Sequence, residues 1–220
     1  MCPCFFGDAL NPIPIKICGL TRAEDALLAW ELGASALGFI FHAKSPRNVS
    51  ASAVAAIRRQ LPKDAFCVGV FVDRTADEVN AIAQEAGLDA VQLHGRETPL
   101  QCAAMDRPVI KVIRAEDEDR LNDYQVSTFL LDAAHPTLAG GTGLQADWQL
   151  AARIAKRTRL ILAGGLDATN LREAIEAVQP ASVDLSSGVE ASPGIKDPAK
   201  LRALFSERDF QGARPCLIPR

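Results

Sequence analysis

The chain has 220 residues, of which 48% are hydrophobic and 23% charged, and its formal net charge is −3. These values are those of an ordinary globular protein and exclude a disordered chain, a collagen-like chain and a coiled coil. The length suits one domain, or at most two small ones. Because there is no basic excess to neutralise a phosphate backbone, we expect no nucleic-acid partner.

Six cysteines are scattered along the chain, and their spacing fits neither a disulfide framework nor a zinc site. No stretch of about 18 apolar residues is present, so no membrane span is predicted. The N-terminus lacks the basic and apolar regions of a signal peptide. We therefore expect a protein of the reducing cytoplasm with no metal.

The two ends of the chain lack a regular pattern. Residues 1–13 and 209–220 are interrupted by proline and glycine, and we interpret them as an N-terminal extension and a C-terminal tail. Between them, residues 14–208 contain no linker or low-complexity run, which favours a single domain.

Within residues 14–208, eight short apolar runs alternate with longer amphipathic segments. The runs lie at residues 15–18, 36–41, 66–72, 90–93, 109–113, 129–131, 160–162 and 183–185. Their length and β-branched content are typical of buried parallel strands. Six strands would suit a doubly wound sheet, whereas eight strand–helix units with no element left over favour a closed α/β barrel, the (β/α)8 TIM barrel.

The segments between the runs carry helix start and stop signals. Thr21 and Thr75 each stand three positions before a glutamate, the pattern of a capping box, and their helices are predicted to end at Gly33 and Gly87. Further helix starts are predicted at Ser50, Asp147, Asp167 and Asp197. The weakest helical patterns lie at residues 98–105 and 116–124.

In a TIM barrel, the active site lies at the C-terminal ends of the strands. Lys16 and Cys18 share one face of the first strand, and since a lysine does not suit the helix-packed outer face, both should point into the barrel. A lone cysteine is usually a small buried hydrophobe, which is our interpretation of Cys67 and Cys102. Cys18 differs, because a neighbouring lysine is expected to lower its thiol pKa and make a thiolate base or nucleophile accessible.

Asp132 ends the sixth apolar run and is a candidate acid. Burial would raise its pKa and let it donate a proton near neutral pH, although an isolated aspartate here could equally cap a loop. The glycine-rich segment 140–143 that follows is either a plain turn or a lid.

Small residues follow the seventh and eighth runs. Gly164 and Gly165 follow one run, and Ser187 and Gly188 follow the other. These two loops form the usual phosphate site of TIM barrels, where backbone N–H groups approach an anion closely. The alternative is that both are tight turns only.

Three further side chains are candidates for substrate contacts. Arg47 could clamp a carboxylate with two hydrogen bonds, or could be a solvated loop arginine. His94 shares a face with Gln92 and is taken as a contact only. Asp184 lies on the strand that neighbours the first strand in a closed barrel, and we hypothesise that it pairs with Lys16.

Together, these residues predict acid–base chemistry on a phosphorylated small molecule. The sequence contains neither a metal cluster nor a P-loop, and no G-x-G-x-x-G opens a helix after the first strand, so no cofactor is expected.

Taken in order, the motifs resemble those of the phosphoribosylanthranilate isomerases of tryptophan biosynthesis. The resemblance covers about residues 14–206. The matching segments are residues 16–21, 69–72, 91–95, 131–132, 140–143, 163–166 and 183–190.

The resemblance implies an Amadori rearrangement of N-(5-phosphoribosyl)anthranilate to 1-(2-carboxyphenylamino)-1-deoxyribulose 5-phosphate. It implies that Asp132 is the general acid that opens the sugar ring and that Cys18 is the general base at sugar C2. Arg47 would hold the anthranilate carboxylate, and the loops after strands seven and eight would hold the phosphate.

Two alternatives stay open at this stage. One is the histidine-pathway isomerase, a similar barrel that uses a carboxylate where Cys18 stands. The other is a non-catalytic barrel that binds a phosphate ligand, which would not need both Cys18 and Asp132. The family includes monomers and homodimers, and the sequence does not choose between them.

Overall fold

The computed structural model describes residues 13–126, 128–132, 144–206 and 217–218. Apart from Ile13, the predicted N-terminal extension lies outside the described residues. So do the glycine-rich segment 140–143 and residues 209–216, 219 and 220 of the predicted tail. Three of the six cysteines, Cys2, Cys4 and Cys216, fall in these parts of the chain.

Eight parallel strands follow one another in chain order around a closed barrel. The strands are β1 (Ile15–Ile17), β2 (Ala36–Ile40), β3 (Cys67–Phe71), β4 (Ala90–Leu93), β5 (Val109–Ile113), β6 (Thr128–Asp132), β7 (Leu160–Ala163) and β8 (Ser182–Leu185). β1 pairs with β2 on one side and with β8 on the other, so the sheet closes on itself. The prediction of a (β/α)8 barrel is confirmed, and the doubly wound sheet was the wrong alternative.

Helices connect the strands on the outside of the barrel. In the described ranges they are α1 (Ala23–Leu32), α2 (Ala51–Arg58), α3 (Ala76–Ala86), α4 (Pro99–Ala103), a 3₁₀ helix (Ala115–Asp123), α5 (Leu144–Ala155), α6 (Leu171–Val178) and α7 (Pro198–Ser206). Between β8 and α7, a 3₁₀ turn (Ser187–Val189) precedes a hairpin of β9 (Glu190–Ser192) and β10 (Ile195–Lys196). Among the described residues, no helix is long and apolar enough to cross a membrane.

Local side-chain chemistry explains where several helices begin. Thr75 and Glu78 form the predicted capping box of α3, and Gly87 ends that helix with a left-handed backbone, φ 66°. Ser50 caps α2 by accepting a hydrogen bond from the Ala53 N–H. Asp197 does the same at the start of α7, where its carboxylate accepts from two backbone N–H groups.

Three predicted helix starts were wrong. Arg22, not Thr21, is the N-cap of α1, because the Thr21 hydroxyl donates to the Gly194 carbonyl, far away in sequence. Asp147 lies inside α5, which begins earlier, at Leu144. Asp167 precedes α6 by several residues, and its carboxylate accepts hydrogen bonds from Thr169 in the loop instead.

Alternation along the strands separates two apolar cores. Side chains that point outward pack beneath the helices, whereas inward side chains such as Ile110, Leu130 and Ile161 fill the barrel. Leu217 and Ile218, from the predicted C-terminal tail, are buried against this interior cluster. Arg159, which precedes β7, donates to the Leu217 carbonyl at 3.4 Å, so this contact lies at the N-terminal ends of the strands. The division of the chain at residues 13 and 208 stays a prediction.

A buried ion pair crosses the interior between β1 and β8. The Lys16 ammonium donates to both Asp184 oxygens at 2.9 Å, and the two residues are partners in the strand register. Burial is the largest influence and lowers the pKa of Lys16, but Asp184 and Cys18 together outweigh it and raise the pKa, so the lysine stays charged. The hypothesis that these two residues pair is confirmed.

This pairing makes a prediction about stability. Replacing Asp184 alone with Asn leaves a buried ammonium without a counter-charge and should lower the free energy of unfolding by about 3–5 kcal/mol. The double variant Lys16→Met, Asp184→Leu should recover most of that loss, because well-packed apolar side chains replace a buried ion pair at little cost. Urea unfolding of the wild type and both variants measures the effect. A double variant as unstable as the single one would contradict this account.

Candidate active site

A cavity of about 340 Å³ lies at the C-terminal ends of the barrel strands. Eight of the nine predicted site residues line it: Cys18, Arg47, His94, Asp132, Gly164, Gly165, Asp184 and Ser187. The ninth, Gly188, is not part of the lining and acts on the site through its neighbours, as described below. Apolar lining comes from Ile40, Val70, Leu130, Ala163 and Leu166.

The inner face of β1 presents a thiol above a buried ammonium. Cys18 lines the cavity and interacts with Lys16, as the alternation of the strand predicted. Gly38 on β2 creates the space for this pair, since a Cβ there would lie 2.8 Å from the Cys18 sulfur and 3.1 Å from Lys16 Nζ. Sequence reasoning missed Gly38, although an isolated glycine inside a strand can signal such a close approach.

The expected lowering of the Cys18 pKa was wrong. Burial raises the pKa of this thiol, and Lys16 offsets that only in part. The reason is that the charge of Lys16 is already compensated by Asp184, whose carboxylate also acts against the thiolate. Cys18 is therefore predominantly a thiol at neutral pH, and any thiolate it forms is a strong base.

Asp132 and His94 share the other side of the cavity. Asp132 is the last residue of β6 and is half-buried. Burial lowers the pKa of His94, while the nearby Asp132 acts in the opposite direction. The imidazole is consequently neutral at neutral pH and can contribute hydrogen bonds but not a full charge.

Gln92 is a cavity residue that the sequence prediction placed beside His94 without assigning it a role. Its amide nitrogen lies 3.4 Å from His94 Nδ1. Its amide oxygen is buried and has no hydrogen-bond partner among the described residues. A buried acceptor of this kind is costly unless a bound molecule or water satisfies it.

Arg47 reaches the cavity from the loop after β2. Its guanidinium donates two parallel hydrogen bonds to the Glu190 carboxylate, from Nε at 2.9 Å and from Nη2 at 2.6 Å. Gly19 lets the side chain pass, because a Cβ there would lie 2.6 Å from Arg47 Cδ, and its φ of 75° also favours glycine. Glu190 was missed, since nothing local in the sequence links it to Arg47.

The loops after β7 and β8 form one wall of the cavity. Gly164 and Gly165 both have left-handed backbones, with φ of 99° and 62°. Within the described ranges, the backbone N–H groups of Gly164, Gly165 and Ser187 donate no hydrogen bond. Unpaired N–H groups at the edge of a cavity are the means by which a backbone binds an anion.

Gly188 brings these two loops together. A Cβ at this position would lie 2.0 Å from the Leu166 carbonyl oxygen and 2.9 Å from the Asp167 Cβ. Any side chain at residue 188 would therefore push the two loops apart. Gly188 therefore sets the spacing of the two loops without lining the cavity.

Comparison with known proteins identifies this arrangement. Residues 15–207 match the family described as N-(5'phosphoribosyl)anthranilate (PRA) isomerase. The chain belongs to the phosphoribosylanthranilate isomerase family. The match covers the whole described barrel, so the resemblance found in the motifs is confirmed.

Individual relatives of the isomerase family agree. The N-(5'-phosphoribosyl)anthranilate isomerase of Citrifermentans bemidjiense is 50% identical over 196 residues, which covers 88% of this chain and 95% of the relative. The Thermotoga maritima phosphoribosyl anthranilate isomerase structure is 40% identical with a TM-score of 0.81, covering 89% and 98% of the two chains. Another isomerase structure, a complex with reduced 1-(o-carboxyphenylamino)-1-deoxyribulose 5-phosphate, has a TM-score of 0.78 at 38% identity, covering 89% and 98%.

The contact between the two glycine-containing loops can be tested directly. In the isomerase, Gly188→Ala should push the two loops apart and raise the KM for the phosphorylated substrate about tenfold or more, since small displacements in a binding site are costly. Gly87→Ala is the matched control, because Gly87 is also conformationally restricted but ends α3 away from the cavity. Steady-state kinetics should show an unchanged KM in the control. An unchanged KM in Gly188→Ala would contradict the role assigned to this contact.

Proposed function

We propose that this isomerase converts N-(5-phosphoribosyl)anthranilate to 1-(2-carboxyphenylamino)-1-deoxyribulose 5-phosphate with Cys18 as general base and Asp132 as general acid. The observation that carries the proposal is that both groups line one cavity, at the ends of β1 and β6. In a barrel of eight strands in chain order, β1 and β6 are three strands apart through β8 and β7. A substrate between them meets a base on one side and an acid on the other.

Asp132 begins the reaction by donating its proton to the furanose ring oxygen. The C1–O bond then breaks, the nitrogen lone pair forms a C=N bond, and the sugar becomes an open-chain iminium ion. A half-buried carboxyl group at the end of a strand is suited to this step, because it lines the cavity and is partly shielded from water.

Cys18 completes the rearrangement by removing the proton from sugar C2. The C–H electron pair forms a C1–C2 double bond and neutralises the iminium, giving an enol-amine that tautomerises to the aminoketose. Asp132 has lost one proton and the Cys18 thiolate has gained one, so the total number of protons is unchanged. Release of the Cys18 proton to solvent and uptake of one by Asp132 then restore both groups for the next turnover. The positive iminium beside the sulfur favours the thiolate at the moment when it is needed, which offsets the cost of burial.

The remaining cavity residues hold the two anionic ends of the substrate. Arg47 faces the anthranilate carboxylate, while the loops containing Gly165 and Ser187 face the phosphate. His94 contacts the substrate as a neutral imidazole. Asp184 acts from below, where it keeps Lys16 charged beside the thiol.

The two alternatives receive no support from the site. A histidine-pathway isomerase would have a carboxylate at the position of Cys18, and this chain has a thiol. A barrel that only binds phosphate has no need for an acid and a base on opposite walls of the cavity.

A solved relative bears on the oligomeric state of this chain. Monomers generated from the dimeric Thermotoga maritima isomerase superpose on this chain with a TM-score of 0.77 at 35% identity, covering 88% and 97% of the two chains. We infer that this chain is either a monomer or a homodimer. A cytoplasmic location stays a prediction from the cysteine pattern.

Two substitutions test the catalytic roles. Cys18→Ser and Asp132→Asn should each lower kcat by about 100-fold or more, which is the typical contribution of a positioned acid or base. The disappearance of the fluorescence of phosphoribosylanthranilate measures the rate. Cys67→Ser is the control, because Cys67 is a buried cysteine on β3. The activity of this variant should match that of the wild type. A wild-type kcat in either site variant would overturn its role.

The raised pKa of Cys18 makes a second prediction. Because the thiolate is the minor form, its fraction should grow about tenfold per pH unit through neutrality, and the rate of Cys18 alkylation by iodoacetamide should rise without a plateau below pH 8.5 or so. Mass spectrometry after timed labelling follows Cys18 itself, and the Cys18→Ser variant corrects for the other cysteines. A plateau reached near pH 7 would mean that the thiol pKa is lowered, in conflict with the burial argument.

A further inference from the structure

Glu190 fixes the plane of the Arg47 guanidinium. The carboxylate occupies the Nε and Nη2 edge of the guanidinium, and its side chain is 5% exposed. Two parallel charge-assisted hydrogen bonds define an orientation, whereas a single one allows rotation. No other side-chain hydrogen bond of Arg47 is formed among the described residues, so the Nη1 and Nη2 edge is available to a second carboxylate.

Lys196 in turn fixes Glu190. Its ammonium is buried and donates to Glu190 Oε1 at 2.9 Å, to the Cys18 carbonyl at 2.6 Å and to the Ser186 carbonyl at 3.1 Å. These three bonds use all three ammonium protons. One side chain on β10 therefore ties together the end of β1, the loop after β8 and the carboxylate behind Arg47.

The charges of this cluster leave room for an anion. Burial would raise the pKa of Glu190, but hydrogen bonds from Arg47 and Lys196 outweigh burial and lower it, so the group is a carboxylate. One carboxylate then compensates two cations. Within the described part of the chain, the other buried carboxylate beside Cys18 is Asp184, which is paired with Lys16. The cluster thus keeps one uncompensated positive charge at the edge of the cavity.

We propose that Glu190 and Lys196 are positioning residues that hold Arg47 in the orientation that receives the 2-carboxylate of the substrate. By doing so, they set the preference of the enzyme for a carboxyphenylamino group over a plain phenylamino group. This inference rests on the proposed function, in which Arg47 faces that carboxylate.

The test compares two unreactive ligands that differ only in the carboxylate. One is reduced 1-(2-carboxyphenylamino)-1-deoxyribulose 5-phosphate, and the other is its phenylamino counterpart. The ratio of their dissociation constants, measured by calorimetry, reports the carboxylate contact alone. Because the phosphate and sugar are common to both ligands, the phenylamino ligand also shows whether each variant retains a folded site.

Glu190→Gln should raise the dissociation constant of the carboxylate ligand about tenfold, because the amide cannot accept two charge-assisted bonds from Arg47. The dissociation constant of the phenylamino ligand should stay within about twofold of wild type. Lys196→Met should shift the ratio in the same direction. Glu190→Asp keeps the charge, so its ratio of dissociation constants should lie between those of Glu190→Gln and the wild type. In an Arg47→Ala background, Glu190→Gln should change the ratio no further, since its effect acts through Arg47.

The outcomes separate this proposal from its competitors. If Glu190 mattered only through its charge, the cluster in Glu190→Gln would become more positive and would bind the carboxylate ligand more tightly. That result would overturn the proposal. Equal weakening of both ligands would indicate a merely structural role and would also overturn it. A wild-type protein that does not convert phosphoribosylanthranilate would instead contradict the proposed function. Should Glu190→Gln fail to fold, Glu190→Asp and Lys196→Met still decide the question through their ligand ratios.

Discussion

The pairing of β1 with β8 closes the barrel and brings the first strand beside the last. The Cys18 N–H donates to the Leu185 carbonyl at 2.8 Å, which continues the strand pairing up to the cavity. Below it, the same pairing places Lys16 against Asp184. Barrel closure therefore brings together the thiol, its neighbouring cation and the loop after β8. Lys16 and Asp184 are 168 positions apart in the sequence.

Closure also determines the electrostatics of the cavity. Two buried cations lie at β1. Lys16 belongs to this strand, and Lys196 donates a hydrogen bond to the Cys18 carbonyl at its end. Each is compensated by a carboxylate, so neither acts as an unpaired charge that would pull the thiol into its anionic form. The positive charge that remains lies at Arg47, where an anionic substrate can use it. A chain with a net charge of −3 thus presents a locally positive site to its substrate.

The sequence predicted the strand order and the barrel, because short β-branched runs and glycine stops report local burial and local backbone conformation. It also placed Cys18, Asp132 and the two glycine-containing loops, since a residue at the C-terminal end of a barrel strand has its direction set by alternation. Barrel closure also led to the distant pair Lys16 and Asp184, but distant partners that no strand pairing indicates were missed. The Thr21 hydroxyl contacts Gly194 rather than capping α1, and no local pattern contains that information.

The same limit explains the errors at the site itself. Lys16 could be placed next to Cys18 from their spacing, but the degree of burial that raises the thiol pKa depends on the whole closed barrel. Glu190 and Lys196 received no role from the sequence, because their partners Arg47 and Cys18 come from the other end of the chain. Gly38 was visible as a glycine in a strand, yet its function depends on which side chains lie across from it.

The central claim is that Cys18 takes the C2 proton while Asp132 serves the ring oxygen on the opposite side. A crystal structure of this protein with reduced 1-(2-carboxyphenylamino)-1-deoxyribulose 5-phosphate tests it most directly. The account predicts that the Cys18 sulfur lies about 3–3.5 Å from sugar C2, the separation of a near-attack geometry. It also predicts that Asp132 approaches from the other face and that the carboxylate sits on the Nη1 and Nη2 edge of Arg47. A sugar C2 that faces Asp132 or another base, with the Cys18 sulfur out of reach, would contradict it.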